Sequence, residues 1–265
     1  MSFSVISGRI ISDYARTGSP YHNLARDHAI LLQHNKTSVA TIRLWRNSPS
    51  VILGRHQLAI DEVNLEYCRQ NDISIARRIS GGGTVYQDEG NLNISFFFPR
   101  NLLPKECSNL LLLTEFFTRI LSQSLSKSAI PSVTVEKSST INFSGKKVSG
   151  SAGYARSGWY LHHATLLVSV DLNKLSKSLL ARPEYGVTSS RRSNFFPTTN
   201  LPDYFSIEAW KTALVDIMTQ TFKIGFAEDS ATKNEEELTD CLADTMYSRP
   251  AWIFEMIRDQ TCFSD

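Results

Sequence analysis

The sequence predicts an α+β fold of mixed β-sheets flanked by helices, and three observations carry that expectation. Strand and helix signals follow one another in mixed rather than strictly alternating order. The composition is that of an ordinary globular protein, 42% hydrophobic and 20% charged over 265 residues, which excludes intrinsic disorder and collagen-like or low-complexity architecture. No internal repeat or low-complexity linker divides the chain. One domain over 1–265 is therefore the simplest account, with 230–265 able to form a helical tail.

The elements read in order as follows. Ile10 and Ile11 start a first strand. Residues 23–34 carry helical spacing at Leu24, Ala25, Ala29, Leu31 and Leu32, and residues 39–45 alternate as a half-buried strand, with Ala40, Ile42 and Leu44 against Thr41, Arg43 and Trp45. A short apolar strand at 51–54 precedes a helix at 61–70 that Asp61 would cap. The strand at 73–78 runs directly into Ser80-Gly81-Gly82-Gly83. Leu92, Ile94, Phe96 and Phe98 form one face of the next strand. The longest helical pattern spans 106–126, with Leu110, Leu113, Phe117 and Leu121 near one face. A Gly-Lys-Lys turn lies within 141–149, an apolar strand at 159–170, and helices at 171–180, 206–222 and about 232–246. Residues 181–204, rich in Ser, Arg, Pro and Asn, are the most loop-like stretch.

A formal net charge of +2 argues against a phosphate-coating nucleic-acid binder, which concentrates basic charge. The longest apolar runs, such as 110–113, fall far short of the ~20 residues that cross a bilayer. Cys68, Cys107, Cys241 and Cys262 are too dispersed for a C-x-x-C motif and too few for a disulfide scaffold. They read as reduced thiols in a cytosol-like compartment. The N-terminus lacks a signal-peptide core. Its Ser-rich start with Arg9, Arg16 and one acid, Asp13, faintly suggests a transit peptide, but the Ile10–Ile11 pair reads as part of a first strand, and that reading is favoured over a cleaved leader. A cytoplasmic location is therefore expected, or a mitochondrial one in a eukaryote.

Three features carry chemistry. A glycine run after a strand lets a ligand approach the main chain closely. It is neither a Walker loop nor a dinucleotide fingerprint, because Tyr86 stands where G-x-G-x-x-G needs glycine. A triple glycine alone is more often a tight turn. Arg77, Arg78, Ser80, Asp88, Gly90 and Asn91 around it suit an anionic, hydrogen-bonding ligand. In Lys146-Lys147-Val148-Ser149-Gly150-Ser151-Ala152 a lysine between small residues could meet a carboxylate or phosphate, although exposed turn lysines are the bland alternative. His162 and His163 point to opposite faces of a strand, so they cannot chelate, and no motif supports a metal site.

Taken together, these segments resemble the lipoate–protein ligase A and lipoyltransferase family. The resemblance is carried by 44–47, 50–55 with Gln57, the run from Ala76 to Tyr86, Asp88-x-Gly90-Asn91, the run from Lys147 to Ala152, and the run from His162 to Leu167, all in one order. It covers about residues 10–201 and implies the mixed-sheet catalytic domain shared with biotin protein ligases. By resemblance, the Arg78-x-Ser80-Gly81-Gly82-Gly83 loop holds the lipoyl carboxyl or acyl-adenylate region. Asn91 and the main chain near Val85 contact the adenylate. Lys147 is the central catalytic lysine on the carbonyl and phosphate oxygens, with Ser149 and Gly150 beside it. His163, followed by Ala164, sits at the end of the acyl pocket. Trp45, with Leu44 and Ile42 on its strand, would wall the apolar slot.

The implied activity is lipoate–protein ligation: lipoate, ATP and Mg2+ give lipoyl-AMP, and the lipoyl group passes to a lysine of a lipoyl-domain protein of the 2-oxoacid dehydrogenase E2 or glycine-cleavage H type. Neither nucleic acid nor membrane is an expected partner. Gln87 stands where the family usually has His, and Ala164 where it usually has Gly. Many members continue into a small accessory domain, so the resemblance implies a separate accessory subunit for this chain, unless the tail from Thr232, with Trp252, Phe254 and Met256 as anchors, closes over the site. Cysteine-dependent octanoyl- or lipoyltransferases need a thiol near the lysine, and none lies between Cys107 and Cys241. Transfer from preformed lipoyl-AMP, a non-catalytic adenylate binder and a biotin ligase remain as alternatives.

Overall fold

A computed structural model describes residues 7–37, 39–180, 193 and 196–255. Most of the stretch at 181–204 that reads as a loop, with Met256 and Cys262, lies outside the described residues. The strands are β1 (Gly8–Gly18), β2 (Ala40–Asn47), β3 (Ser50–Leu53), β4 (Ser74–Arg77), β5 (Val85–Gln87), β6 (Asn91–Pro99), β7 (Val133–Glu136), β8 (Thr140–Phe143), β9 (Lys146–Arg156), β10 (Trp159–Leu167) and β11 (Phe226–Asp229). The helices are α1 (Pro20–Thr37), α2 (Ala59–Glu62), α3 (Leu65–Gln70), α4 (Leu110–Lys127), α5 (Leu172–Ser178), α6 (Ile207–Phe222), α7 (Lys233–Leu242) and α8 (Pro250–Phe254). Eight strands form a sheet in the order β11-β1-β2-β6-β10-β9-β8-β7, and β4-β3-β5 form a second. Both sheets are mixed: β1 runs parallel to β2 and β11, and β3 parallel to β4, while the remaining pairs are antiparallel. The α+β expectation holds.

Alternation decides which face of the large sheet each residue serves. Ile42 lies opposite Phe96, and Leu44 opposite Ile94. These four, with Phe98 and Tyr160, pack beneath α4 and α6 against Phe117, Leu121, Trp210 and Leu214. Phe117 is fully buried and stacks on Tyr160 and His162 at 5.6 and 5.4 Å, so truncating it to Ala would cost about 3–5 kcal/mol. The opposite face carries Trp45, Phe97 and Leu161 against Leu24 and Ala25 of α1. Ile42 and Leu44 thus belong to the α4 core rather than to a slot shared with Trp45, because period two puts them on the other face.

The helix expected at 61–70 is two short ones. Asn64, not Asp61, caps the second, accepting from the Tyr67 N–H at 3.1 Å. The helix expected from 106 begins at Leu110, where the Asn109 side chain accepts from the Leu112 N–H. Arg77 fixes the end of the described chain. Its guanidinium donates to the carbonyls of Gly54, Arg55, Gln57, Trp252 and Ile253, and Trp252 Nε1 donates back to the Arg77 carbonyl at 2.9 Å. Residues 232–255 therefore pack against α1 and β4, and none of them lines the cavity described below. Cys68 and Cys107 are buried, Cys241 is exposed, and all three are free thiols. Among the described residues no helix is long and apolar enough to cross a membrane.

Candidate functional site

β2, β6, β10 and β9 lie side by side, and their register builds the floor of a cavity of about 310 Å³. Trp45 stands opposite Asn93 and Asn93 opposite Thr165, while the Gly150 N–H donates to Thr165 Oγ1 at 3.3 Å. One row along, Ser95 stands between Arg43 and His163, and His163 faces Ala152 on its other side. Residues directly opposite on neighbouring strands share a face, so these two rows form one surface. Leu24, Ile52, Arg78, Gly82, Gly83 and Val85 close it from above. A second, more apolar cavity of about 180 Å³, lined by Leu167, Leu175 and Leu179, adjoins it, and Lys147, Thr84, Val85 and Phe196 border both.

The glycine loop is shaped by Arg78. Its Nε donates to Ser80 Oγ at 3.1 Å, Nη1 to the Ile52 carbonyl at 3.1 Å, and Nη2 to the Gly81 and Gly83 carbonyls at 2.7 Å each. Gly82 sits at φ +86°, in the left-handed region that a β-branched residue does not take cheaply. A Cβ on Gly54 would lie 2.1 Å from the Gly82 carbonyl oxygen, so both glycines are needed for the close approach of the two chains. Burial, and then Arg77, lower the Arg78 pKa to about 10, which leaves it charged at neutral pH.

Behind the loop runs a second network. Arg43 Nη1 donates to Asp27 Oδ1 at 2.7 Å, and Ser95 Oγ to Asp27 Oδ2 at 2.5 Å. That carboxylate oxygen lies 3.9 Å from His163 Nδ1, and His163 Nε2 hydrogen-bonds the Ser80 hydroxyl. Burial pushes Asp27 up, but His163, Arg43 and Ser95 outweigh it and hold the carboxyl below its usual range. Burial pulls His163 down, Asp27 opposes, and Arg78 adds to the depression. His163 is therefore neutral at pH 7, and the carboxylate favours the proton on Nδ1, leaving Nε2 to accept from Ser80. A one-way chain of amides follows: Arg43 Nη2 to Asn23 Oδ1, Asn23 Nδ2 to Asn47 Oδ1, Asn47 Nδ2 to Gln87 Oε1, and Gln87 Nε2 to Asn93 Oδ1. Because arginine can only donate, every amide is oriented. The chain ends at a buried Asn93 Nδ2 with no hydrogen-bond partner among the described residues, on a residue lining the cavity.

Lys147 lies on β9, bonded through its main chain to Pro197 and Thr199 at 2.8 and 3.0 Å. Its ammonium is 5.2 Å from the centre of the Phe196 ring. A Cβ on Gly150 would lie 2.9 Å from that ammonium. Burial, then the Arg78 charge, lower its pKa below the usual 10.5. Among the described residues no carboxylate pairs with it. A half-buried ammonium with no carboxylate partner among the described residues, beside open main chain and between two cavities, can meet an anionic group.

Of the residues singled out from sequence, Trp45, Arg78, Gly82, Gly83, Val85, Lys147, Gly150, His163 and Ala164 line the first cavity. Ser149 lines the second, with a buried Oγ that has no hydrogen-bond partner among the described residues. Ser80 is fully buried behind the loop, and Gly81 contributes its carbonyl to Arg78. Asn91 is also fully buried: its Nδ2 donates to Asn93 Oδ1 at 3.0 Å, so Asn93 and not Asn91 reaches the cavity. Arg77 does not join Arg78 there, because neighbours on a strand face opposite ways. Asp27, Asn93, Lys137, Thr165 and Phe196 were missed. Alternation two residues beyond Asn91 could have found Asn93, and Asp27 is a polar residue within an apolar helical pattern; Phe196 carries no local signal.

Residues 19–223 match the family model of the lipoyl protein ligase A/B catalytic domain. The chain is 33% identical over 258 residues to lipoate-protein ligase A subunit 1 of Thermoplasma acidophilum, covering 92% of this chain and 95% of that one. It is 37% identical over 171 residues to the human mitochondrial lipoyl amidotransferase LIPT1, covering 64% of this chain and 43% of that one. Among solved structures it resembles the bi-partite lipoate protein ligase of T. acidophilum, described with its E2 lipoyl domain (TM-score 0.80, 28% identity, 96% and 99% of the two chains). Similar too are a putative lipoate protein ligase of T. acidophilum with bound lipoic acid (TM-score 0.77, 30% identity, 94% and 99%) and a lipoate-protein ligase A bound with ATP (TM-score 0.78, 30%, 95% and 100%). The mixed sheets and their flanking helices are the lipoate protein ligase fold. The chain belongs to the lipoyl protein ligase A/B catalytic-domain family.

Proposed function

We propose that the chain is a lipoate–protein ligase that activates lipoate with ATP and passes the lipoyl group to a lysine of a lipoyl-domain protein. The observation that carries this is the placement of Lys147, an ammonium without a carboxylate partner among the described residues, at the junction of two cavities. The first cavity combines an apolar wall for an acyl chain, Trp45, Leu24 and Ile52, with Lys147, Lys137 and the Gly82 main chain for phosphate, and the adjoining second cavity would take the rest of the nucleotide. In activation a lipoate carboxylate oxygen bonds to the α-phosphorus, and pyrophosphate leaves with the electron pair of the broken Pα–O bond. Lys147 would neutralise the oxygens on which charge builds, and open glycine main chain would let the phosphate approach. In transfer the neutral acceptor lysine nitrogen bonds to the acyl carbon, the acyl C–O bond breaks with its electron pair leaving on AMP, and the amine proton passes to the departing phosphate or to solvent. Lys147 on the carbonyl oxygen would serve again.

No group of three or more His, Cys, Asp or Glu side chains converges among the described residues. Mg2+ would therefore come with the nucleotide phosphates rather than in a protein cage, and no step is assigned to it. Neither cavity is lined by Cys68, Cys107 or Cys241, which speaks against a thiol nucleophile. The similarity to LIPT1 favours a second reading, transfer from preformed lipoyl-AMP without ATP. The similarity to a subunit of a bi-partite ligase favours a separate accessory polypeptide. The test is mass spectrometry of a lipoyl domain incubated with the purified chain and lipoate plus Mg-ATP, or with lipoyl-AMP. Lipoylation with ATP supports ligation, and rapid turnover without a second polypeptide removes the need for a partner. Lipoylation from lipoyl-AMP alone makes the chain a transferase, and no product from either donor rejects both readings.

A further inference from the structure

Resting on the ATP-dependent reading, we propose that Lys137 is a second cation of the site, one that holds the pyrophosphoryl end of the nucleoside triphosphate and so serves activation but not transfer. Charge accounting leads to it. A triphosphate brings several negative charges, and charge grows on its outer end as the Pα–O bond opens and the electron pair leaves with pyrophosphate. The arginines beside the glycine loop are already engaged: Arg77 on five main-chain carbonyls, Arg78 on three carbonyls and Ser80. Lys147 alone would meet the acyl carbonyl and the α-phosphate.

Lys137 sits at the tip of the β7–β8 hairpin and, with Ser139 and Thr140, lines the same cavity as Lys147 and Gly82. Its ammonium is 4.9 Å from the centre of the Phe196 ring, the ring that Lys147 approaches at 5.2 Å. Among the described residues no carboxylate pairs with it. Glu136 accepts from Asn142 Nδ2 at 2.7 Å, and Glu115, across the tip, binds Arg119 and Ser138. A cation resting on a neutral ring gives up little when it moves to a phosphate. Phe196 thus keeps two ammoniums beside one cavity without neutralising either.

The chemistry separates this role from a general one, since lipoyl-AMP has neither a β- nor a γ-phosphate. Lys137→Gln and Lys137→Arg are assayed for pyrophosphate release from lipoate and Mg-ATP, for lipoylation from synthetic lipoyl-AMP, and for binding of inorganic pyrophosphate by calorimetry. For Lys137→Gln the expected result is a fall of at least tenfold in kcat/KM for ATP relative to the rate from lipoyl-AMP, with pyrophosphate binding lost. Lys137→Arg should restore most of both. Equal losses from the two donors, or unchanged ATP kinetics and pyrophosphate binding, would overturn the proposal. If the wild-type chain releases no pyrophosphate from ATP, the ATP-dependent reading fails by itself, and Lys137 is judged on pyrophosphate binding: weaker in Lys137→Gln supports it, equal rejects it.

Discussion

Replacing Gly150 by alanine separates the position of one ammonium from the stability of the fold. An ideal Cβ at Gly150 would stand 2.9 Å from Lys147 Nζ and 3.0 Å from its Cε, with no other atom among its three nearest neighbours within 4 Å. The collision is with the far end of a flexible side chain. Gly150 does not have a left-handed φ, so alanine fits the strand, and its lower chain entropy should stabilise by about 0.5–1 kcal/mol. The ammonium must retreat by several tenths of an ångström to reach ordinary contact distance. A misplacement on the order of 1 Å at a reacting centre costs about 100-fold in rate, so Gly150→Ala should lose roughly 10- to 100-fold, or about 1.4–2.7 kcal/mol of barrier. The assay is pyrophosphate release with saturating lipoate and Mg-ATP, beside a thermal melt. A rate within twofold of wild type would refute the role given to the Lys147 position, and a lower melting temperature would refute the claim that the strand accepts alanine.

Lys147→Ala should reduce adenylate formation by at least 10²–10³, the value of one preorganised charge-stabilising donor, whereas the exposed neighbour Lys146→Ala should be near neutral; equal effects would sink the assignment. Because burial and Arg78 lower the Lys147 pKa, the ammonium loses its proton as pH rises through that lowered value, so the alkaline limb of the wild-type rate should begin below 10.5; a limb at or above 10.5 would contradict this. Arg77→Met strips the donors from five main-chain carbonyls, four of them in buried hydrogen bonds, and should destabilise by about 3–5 kcal/mol, a fall in Tm on the order of 10 °C; a melt within 2 °C, roughly 1 kcal/mol on the same scale, would show that α8 is held otherwise. Asn93→Asp keeps the shape and the acceptor for Gln87 but turns the unpartnered donor into an acceptor, so lipoate affinity should fall about tenfold, near the 1–3 kcal/mol of an unmatched buried polar group; unchanged lipoate binding by calorimetry would mean that Asn93 does not face the ligand.

Much of this site was legible along the chain because its parts are local. The glycine run announces main chain that a ligand can approach, and Lys147 between small residues announces a cation with room around it. Alternation in Leu92, Ile94, Phe96 and Phe98 fixes a strand with one apolar face, and adjacency alone shows that His162 and His163 face opposite ways. These follow from backbone geometry within a few residues. What neighbours on a strand cannot reveal is which of them faces the cavity. Arg77 and Arg78 are chemically identical, yet one binds α8 and the other shapes the loop, because β4 lies at an edge against α8. Likewise Asn91 and Asn93 share a face, and register against β2 and β10 puts the second at the cavity. Asp27 reaches His163 from α1, and Phe196 stands between Lys137 and Lys147 from a segment far along the chain. Such pairs are set by how the sheets and helices pack, a property of the whole chain, and no window of local sequence carries the register that brings them together.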